Sequence, residues 1–295
     1  MQLVISVFEQ GFIYAVMALG IYITYKILDF PDLTVDGSFP MGAAIAAVLI
    51  SNGVPAVLTL PAAALGGAFV GFLTGVIHVK LHVRDLLSGI IMMTALYSVN
   101  LRIMGRANIP LYTNETIFEN GLMNGIFRGA LEPYKITVIL LVLVVLVKLV
   151  LDWYMRTKSG FLLRAVGSND TIVTTLGVDK GKVRIVGLMI ANGLVALSGC
   201  LYAQQQRYAD VSMGTGTMVI GLASVIIGTS LFRKVTAVRV TTAVIIGSVL
   251  YKACVATAVH FLTNASDMKL ITAALFLVIL VMSMDKKRKV ASGDA

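Results

Sequence analysis

The sequence predicts an all-α polytopic membrane protein, a single transmembrane domain over residues 1–295, from three observations. Hydrophobic residues make up 58% of the chain and charged residues only 13%, about half the charge of an ordinary soluble domain. Mean hydropathy is +0.89. The apolar residues also gather into runs of helical-span length, and at about 20 residues per span the chain holds on the order of eight to ten transmembrane helices.

Those runs fall at residues 7–28, 38–51, 54–79, 86–105, 135–154, 183–203, 217–232, 237–262 and 270–284. The first lacks a basic leader in front of it and is expected to stay as the first helix. The runs beginning at Ser38 and Thr217 cover only about 14 to 16 residues, below a comfortable span. They predict broken or re-entrant half-helices, and two prolines, Pro31 and Pro40, flank the start of the former.

The net charge of +9 does not point to nucleic acid, because the basic residues are scattered among short connections between apolar runs. They set orientation instead, since Lys and Arg near span ends are retained on the cytoplasmic side. With the N-terminus outside and the C-terminus in the cytoplasm of a bacterial inner membrane, Lys80, Arg84, Arg156, Lys158, Lys180, Arg184, Arg239 and Lys286–Lys289 all fall inside, the last group including Arg288. Two connections exceed a turn: an extracytoplasmic one at about 106–134 and a cytoplasmic one at about 156–184.

Other features read as packing. Cys200 and Cys254 lie in apolar runs and are expected to be buried; Gly67, Gly71 and Gly75 form a small-residue stripe that lets helices approach closely. Lys148 is expected to snorkel, and Lys252 either to snorkel or to line an aqueous cavity. His78 and His82 are too few for a metal site. Residues 177–183 resemble a phosphate-binding loop, but the glycine spacing is one short and the final Ser or Thr is absent.

The cytoplasmic connection carries a short helix in its sequence. Ser168 or Asn169 can cap it, Asp170 suits its first turn, and Gly177 can close it in the left-handed conformation. Ile172, Val173 and Leu176 share one face, so the helix presents an apolar stripe and, being too short to stand alone, needs a surface to dock against. The alternative is a solvated loop on lipid headgroups.

Several ordered stretches resemble the permease family that includes the ribose and branched-chain amino-acid importers. They are residues 12–20, Asp32 to Ser38, Gly75-Val76-Ile77, Met92-Met93, Arg164-Ala165-Val166-Gly167, Leu176-Gly177-Val178 and Gly199. Within that family the short, Met-rich chain is similar to the subgroup associated with tryptophan and tyrosine. The resemblance implies a permease core paired with a second copy, two ATP-hydrolysing subunits on the cytoplasmic side and an extracytoplasmic solute-binding protein, with Mg-ATP held by the partner ATPases and no cofactor in this chain. It implies that Gly167 to Gly177 is the coupling helix, with Arg164 and Asp170 as candidate charge partners and Ile172, Val173 and Leu176 filling a groove of the ATPase.

For the solute route, intramembrane polar residues are costly and usually face water or each other. Asp36, Ser38 and Phe39 stand at the start of the short second run, where the half-helix N-terminus can face a carboxylate and Asp36 an amino group. The alternative places Asp29 and Asp32 in a cytoplasmic loop and leaves Ser38 as a cap. Met92, Met93, Tyr97 and Asn100 lie along roughly one side of the fourth run and suit an aromatic or apolar solute, or else pack. Gln204 to Tyr208 can gate or anchor a helix end. Competing functions are a sugar or nucleoside permease and an ion-coupled secondary transporter, for which Asp36 is the one clear carboxylate. No nucleophile or metal constellation suggests an enzyme.

Overall fold

The computed structural model describes residues 2–121, 125, 127, 129–168, 170–175, 177–233, 235, 238–261, 272–274 and 276–281. Among the described residues, seven helices are long and apolar enough to cross a membrane. The first, α1 (Gln2–Ile21), continues through a π-helical turn, Tyr22–Ile27. Then come α2 (Val35–Ser51), α3 (Thr59–Lys80), α4 (Asp85–Met104), strand β1 (Asn108–Pro110), α5 (Lys135–Tyr154) and the two cytoplasmic-segment helices α6 (Lys158–Ser168) and α7 (Asp170–Thr175). The chain closes with α8 (Lys180–Gln206), β2 (Tyr208–Asp210), α9 (Thr217–Leu231) and α10 (Val240–Phe261), followed by a shorter apolar helix at Thr272–Val281.

Helix α8 is the axis of the bundle, and its glycines and those of its neighbours explain why. A Cβ on Gly67 would stand 2.3 Å from the Asn192 carbonyl oxygen, and one on Gly71 2.2 Å from that of Leu188. The glycine stripe of α3 therefore lies directly on the backbone of α8, as the sequence predicts. On the other side Gly42 of α2 meets the Ala196 carbonyl and Gly199 of α8 meets the Phe39 carbonyl. Without a hydrophobic drive between helices in lipid, such backbone contact is what gives the dispersion energy of association. Outside this layer α5 turns Leu141, Val142, Leu146 and Val150 outward, an apolar face suited to lipid.

Both short runs follow a break in the chain, and the first begins three residues earlier than Ser38; the second gains span length from the 211–214 turn ahead of it, Val211–Leu231 being 21 residues. The chain leaves α1 through the π turn, where Thr24 Oγ1 donates to the Ile21 carbonyl, and Asp29 takes a left-handed φ of 52°. Pro31 prevents helix continuation, and α2 starts at Val35, so Ser38 sits inside its first turns rather than capping it. The second break follows α8: Arg207 is left-handed at φ 60°, β2 pairs antiparallel with β1 in the register Asn108 to Asp210 and Pro110 to Tyr208, and residues 211–216 dip back to the start of α9.

The connection after α4 folds onto the helix ends. Ile117 N donates to Gln204 Oε1 at 3.0 Å, Arg207 forms an ion pair with Glu119, and Gln205 Nε2 donates to Glu9 Oε2 at 3.2 Å. The Gln204 to Arg207 cluster is thus an anchor. Asp210 adds to it, accepting from Ser212 N at 2.8 Å and from Asn108 Nδ2 at 3.3 Å. Hydrogen bonds from Ser212 hold the Asp210 carboxyl below its ordinary 3.8. A depressed folded pKa contributes stability that is complete above 3.8 and is lost as pH falls through the folded value. Protection of the Asn108, Ile109 and Leu111 amides, measured against their intrinsic exchange rates at each pH, is therefore expected to fall on acidification below about pH 4, and an Asp210→Asn variant should lose that pH dependence.

Three expectations are corrected. Cys254 is exposed, whereas Cys200 is buried and lies 3.4 Å from Thr59 Oγ1. Lys148 does not snorkel but pairs with Asp152 at 3.1 Å, a carboxylate also held by Arg239 at 3.0 Å and Thr241 at 2.7 Å. Lys252 follows the second of its two expectations: it lines a cavity of about 430 Å³ with Ser6 and Gln10, its ammonium 3.7 Å from the Tyr14 ring centroid, a cation–π contact. Asp32 is not a loop residue in water: it is 1% exposed and hydrogen-bonded within the bundle.

Candidate functional site: a cavity where two half-helices meet

The two breaks converge. Asp36, in the first turn of α2, accepts from Gly216 N at 3.0 Å, Thr217 Oγ1 at 3.0 Å and Met218 N at 2.8 Å. It therefore caps the N-terminus of a helix that begins 181 residues later, where the unpaired N–H groups and the helix dipole favour a carboxylate. Gly214 allows the approach, since a Cβ there would stand 2.1 Å from the Asp36 carbonyl oxygen.

Below this junction lies a polar chain. Ser38 Oγ donates to Asn192 Oδ1 at 2.6 Å, Asn192 Nδ2 donates to Asp32 Oδ2 at 2.8 Å, and Thr34 N donates to Asp32 Oδ1 at 2.9 Å. Asn192 stands near the middle of α8, about 18 Å from one end and about 21 Å from the other at 1.5 Å per residue. In the break between α1 and α2, Leu28 N and Phe30 N donate back to the carbonyls of Ile23 and Thr24, and Thr34 N is met by the Asp32 carboxylate that Asn192 holds in turn, as irregular backbone in a membrane protein requires.

Beside the junction a cavity of about 350 Å³ is lined by residues of α2, α4 and the 211–216 segment. Of the seven residues expected on the solute route, Asp36, Met93, Tyr97 and Asn100 line it. Met92 does not; one residue from Met93 is about 100° around a helix, and it packs with Met41, Val70 and Leu96. Ser38 is committed to Asn192, and Phe39 is fully buried, its ring 5.9 Å from that of Tyr14 and 5.5 Å from that of Tyr202. Thr94, Ser98, Ser212 and Thr215 add hydroxyls to the wall. Asn100 is 1% exposed; its Nδ2 donates to the Gly37 carbonyl at 3.1 Å, and its Oδ1 has no partner.

At the other functional segment the structure differs from the sequence reading. Two helices occupy it: Arg164, Gly167 and Ser168 belong to α6, and Asp170 opens α7. Ser168 Oγ donates back to the Ala165 carbonyl at 3.2 Å and caps nothing. Arg164 donates to the Met155 carbonyl. Val173 is wholly buried in the chain's own core, so it does not face outward as a docking residue. Gly177 is left-handed at φ 72°, closing α7 as its sequence predicts. Asn169 and Leu176 lie outside the described residues, as do the side chains of Asp170 and Ile172. Gly167 lies against the Ile27 carbonyl at the end of the π turn, where a Cβ would be 1.6 Å from the oxygen.

Sequence reasoning missed Asn192, the capping role of Asp36 and the 211–216 segment. A signal was present: Asp32-Leu33-Thr34 and Asp210-Val211-Ser212 share one pattern, and each Asp accepts from the backbone N–H two residues on, at 2.9 Å and 2.8 Å. Each turn stands in the break ahead of a short helix.

A bundle of span-length apolar helices in which two breaks in the chain meet beside a cavity is the architecture of a membrane transport protein. The chain belongs to the family described as branched-chain amino acid transport system / permease component, whose profile matches residues 3–283. It is 44% identical over 277 residues to the tyrosine transport system permease protein of Clostridioides difficile (strain R20291), covering 94% of this chain and 90% of that protein. It is 25% identical to the ribose import permease protein RbsC of Escherichia coli (strain K12), covering 76% and 68%, and 27% identical to the probable branched-chain amino acid transport permease protein LivH of Methanocaldococcus jannaschii, covering 72% and 70%. No solved structure matches the chain.

Proposed function

We propose that the chain is the membrane-spanning subunit of an ATP-driven importer that moves an amino acid, aromatic in side chain, across the inner membrane by alternating access. The observation that carries this reading is the similarity to a tyrosine transport system permease along nearly the whole of both proteins. The cavity is consistent with it: Met93 and Tyr97 supply a soft apolar wall beside polar groups. The chain itself hydrolyses nothing in this reading. Two separate ATPase subunits bind Mg-ATP, an extracytoplasmic protein delivers the solute, and two copies of this chain form the paired core. Charge places the N-terminus outside and the 156–184 segment in the cytoplasm.

In this scheme the 164–177 segment carries the coupling surface, with Arg164, Ser168, Asn169, Asp170, Ile172 and Leu176 its candidate members, while Gly167 is the inward contact of the segment with the Ile27 carbonyl. Val173 anchors the segment from within. A pull-down of the ATPase from membranes separates the roles: Leu176→Asp is expected to lose the ATPase while the permease stays folded, whereas Val173→Asp is expected to destabilise the permease itself by about 2–5 kcal/mol, as for a lost core side chain. Full ATPase retention by Leu176→Asp would count against the docking assignment. The function is tested by reconstituting the complex with its ATPase and binding protein in liposomes. Uptake of labelled amino acid should require ATP and vanish when the ATPase lysine that holds phosphate is replaced; uptake without ATP would point to a secondary carrier.

A further inference from the structure

The wall of the cavity between α2, α4 and the 211–216 segment carries one carboxylate, Asp36, and no Lys, Arg or His. An amino acid brings a carboxylate that must be met at membrane depth, where an unpaired charge is expensive. Immediately behind Asp36, and next in the chain to the lining residue Thr215, stand the N–H groups of Gly216 and Met218 and the hydroxyl of Thr217, and all three are given to Asp36. Independently, Asn100 presents a buried acceptor, Oδ1, with no donor, while its Nδ2 is fixed by the Gly37 carbonyl. The wall thus has an occupied carboxylate seat and an empty seat for a donor.

We infer that a zwitterionic amino acid binds here by carboxylate exchange: its carboxylate takes the α9 N-terminus in place of Asp36, and its ammonium is received by the released Asp36 carboxylate and by Asn100 Oδ1. The exchange conserves charge. Before binding, one carboxylate faces the positive end of the α9 dipole; afterwards a different one does, and the displaced one is neutralised by the ammonium. Neither half of the ligand suffices. An amine alone leaves Asp36 on α9 and meets only Asn100, and a carboxylate alone expels Asp36 into the cavity with no cation to meet it. Because Asp36 belongs to α2 and its donors to α9, the exchange also unties the two half-helices, so a conformational step is linked to the presence of the correct ligand. This inference rests on the amino-acid importer reading above.

The test measures saturable binding of tritiated L-tyrosine, L-tryptophan and L-leucine to the permease–ATPase complex in nanodiscs, without the binding protein. Competitors are tyramine, which lacks the carboxylate, 3-(4-hydroxyphenyl)propionate, which lacks the ammonium, and ribose. The expected result is that both half-molecules compete at least about tenfold more weakly than L-tyrosine, as a site with unpaired polar groups rejects an analogue lacking the partner. Asn100→Leu should weaken binding by a similar factor and Asn100→Asp should restore it; the competition profile of the wild-type complex needs no variant to fold. Equal competition by either half-molecule, displacement by ribose, or absence of binding in a complex that still takes up amino acid with ATP overturns the exchange. Absence of ATP-driven uptake of every amino acid overturns the importer reading instead.

Discussion

Asp36→Ala is expected to reduce ATP-driven uptake to background and to lower the thermal stability of the purified permease. The substitution strips the N-terminus of α9 of its one carboxylate and leaves the N–H groups of Gly216 and Met218 unpaired in a part-buried site. Each unsatisfied buried donor costs about 1–3 kcal/mol, so the loss should be about 2–5 kcal/mol. Asp36→Asn keeps one acceptor oxygen and should recover part of the stability, because the side-chain carbonyl still caps one N–H. It should recover little uptake, since it neither carries the charge that favours the helix dipole nor receives an ammonium. Thermal unfolding in detergent read beside uptake in liposomes separates the two effects. An Asp36→Ala protein with wild-type stability would show that the cap is not what holds α2 to α9.

The second large effect is expected at Gly42. A Cβ there would lie 1.8 Å from the Ala196 carbonyl oxygen, and the reciprocal contact at Gly199 is 1.9 Å from that of Phe39. Both neighbours are backbone, so nothing flexible can yield, and Gly42→Val must push α2 away from the axial helix. Overpacking costs about 1–3 kcal/mol even where side chains can move; here the cost should sit at or above that range and appear as loss of the monodisperse peak in fluorescence-detected size exclusion. Gly121→Ala, with nothing within 4 Å of its new Cβ, serves as the unaffected control.

The bundle was legible in the sequence because a lipid solvent imposes length and composition on every span, and the runs of apolar residues match α1, α3, α4, α5, α8, α9 and α10 to within a few residues. The contact role of Gly67, Gly71 and Gly75 was legible for the same reason: small residues at a spacing of four have one use on a lipid-soluble helix. The cavity was half legible. Met93, Tyr97 and Asn100 follow helical spacing from a polar end, but spacing does not fix rotation, so Met92, one residue away, was grouped with them and faces the interior. The capping of α9 by Asp36 was not legible, since a carboxylate beside one helix N-terminus gives no sign that it serves another helix remote in the chain. Val173 failed for a related reason: an amphipathic stripe says that a face must be covered and is silent on whether the covering is the chain's own. Asn192, an amide between Ala191 and Gly193 near the middle of the 183–203 run, carries a cost in lipid that marks it as a residue with a partner.

The contact between Gly167 and the Ile27 carbonyl has a mechanical meaning. Two backbones touch there with no side chain between them, so the joint has no compliant layer in which a push could dissipate. Any tilt imposed on α6 from beneath is delivered to the widened turn at the foot of α1, the part of that rod with the loosest internal bonding. From there the path is short: Asp32 follows Ile27 by five residues, and Asn192 and Ser38 hang from it. If the ATPase docks beneath α6 as proposed, its point of attachment and the polar chain beside the cavity are ends of one linkage.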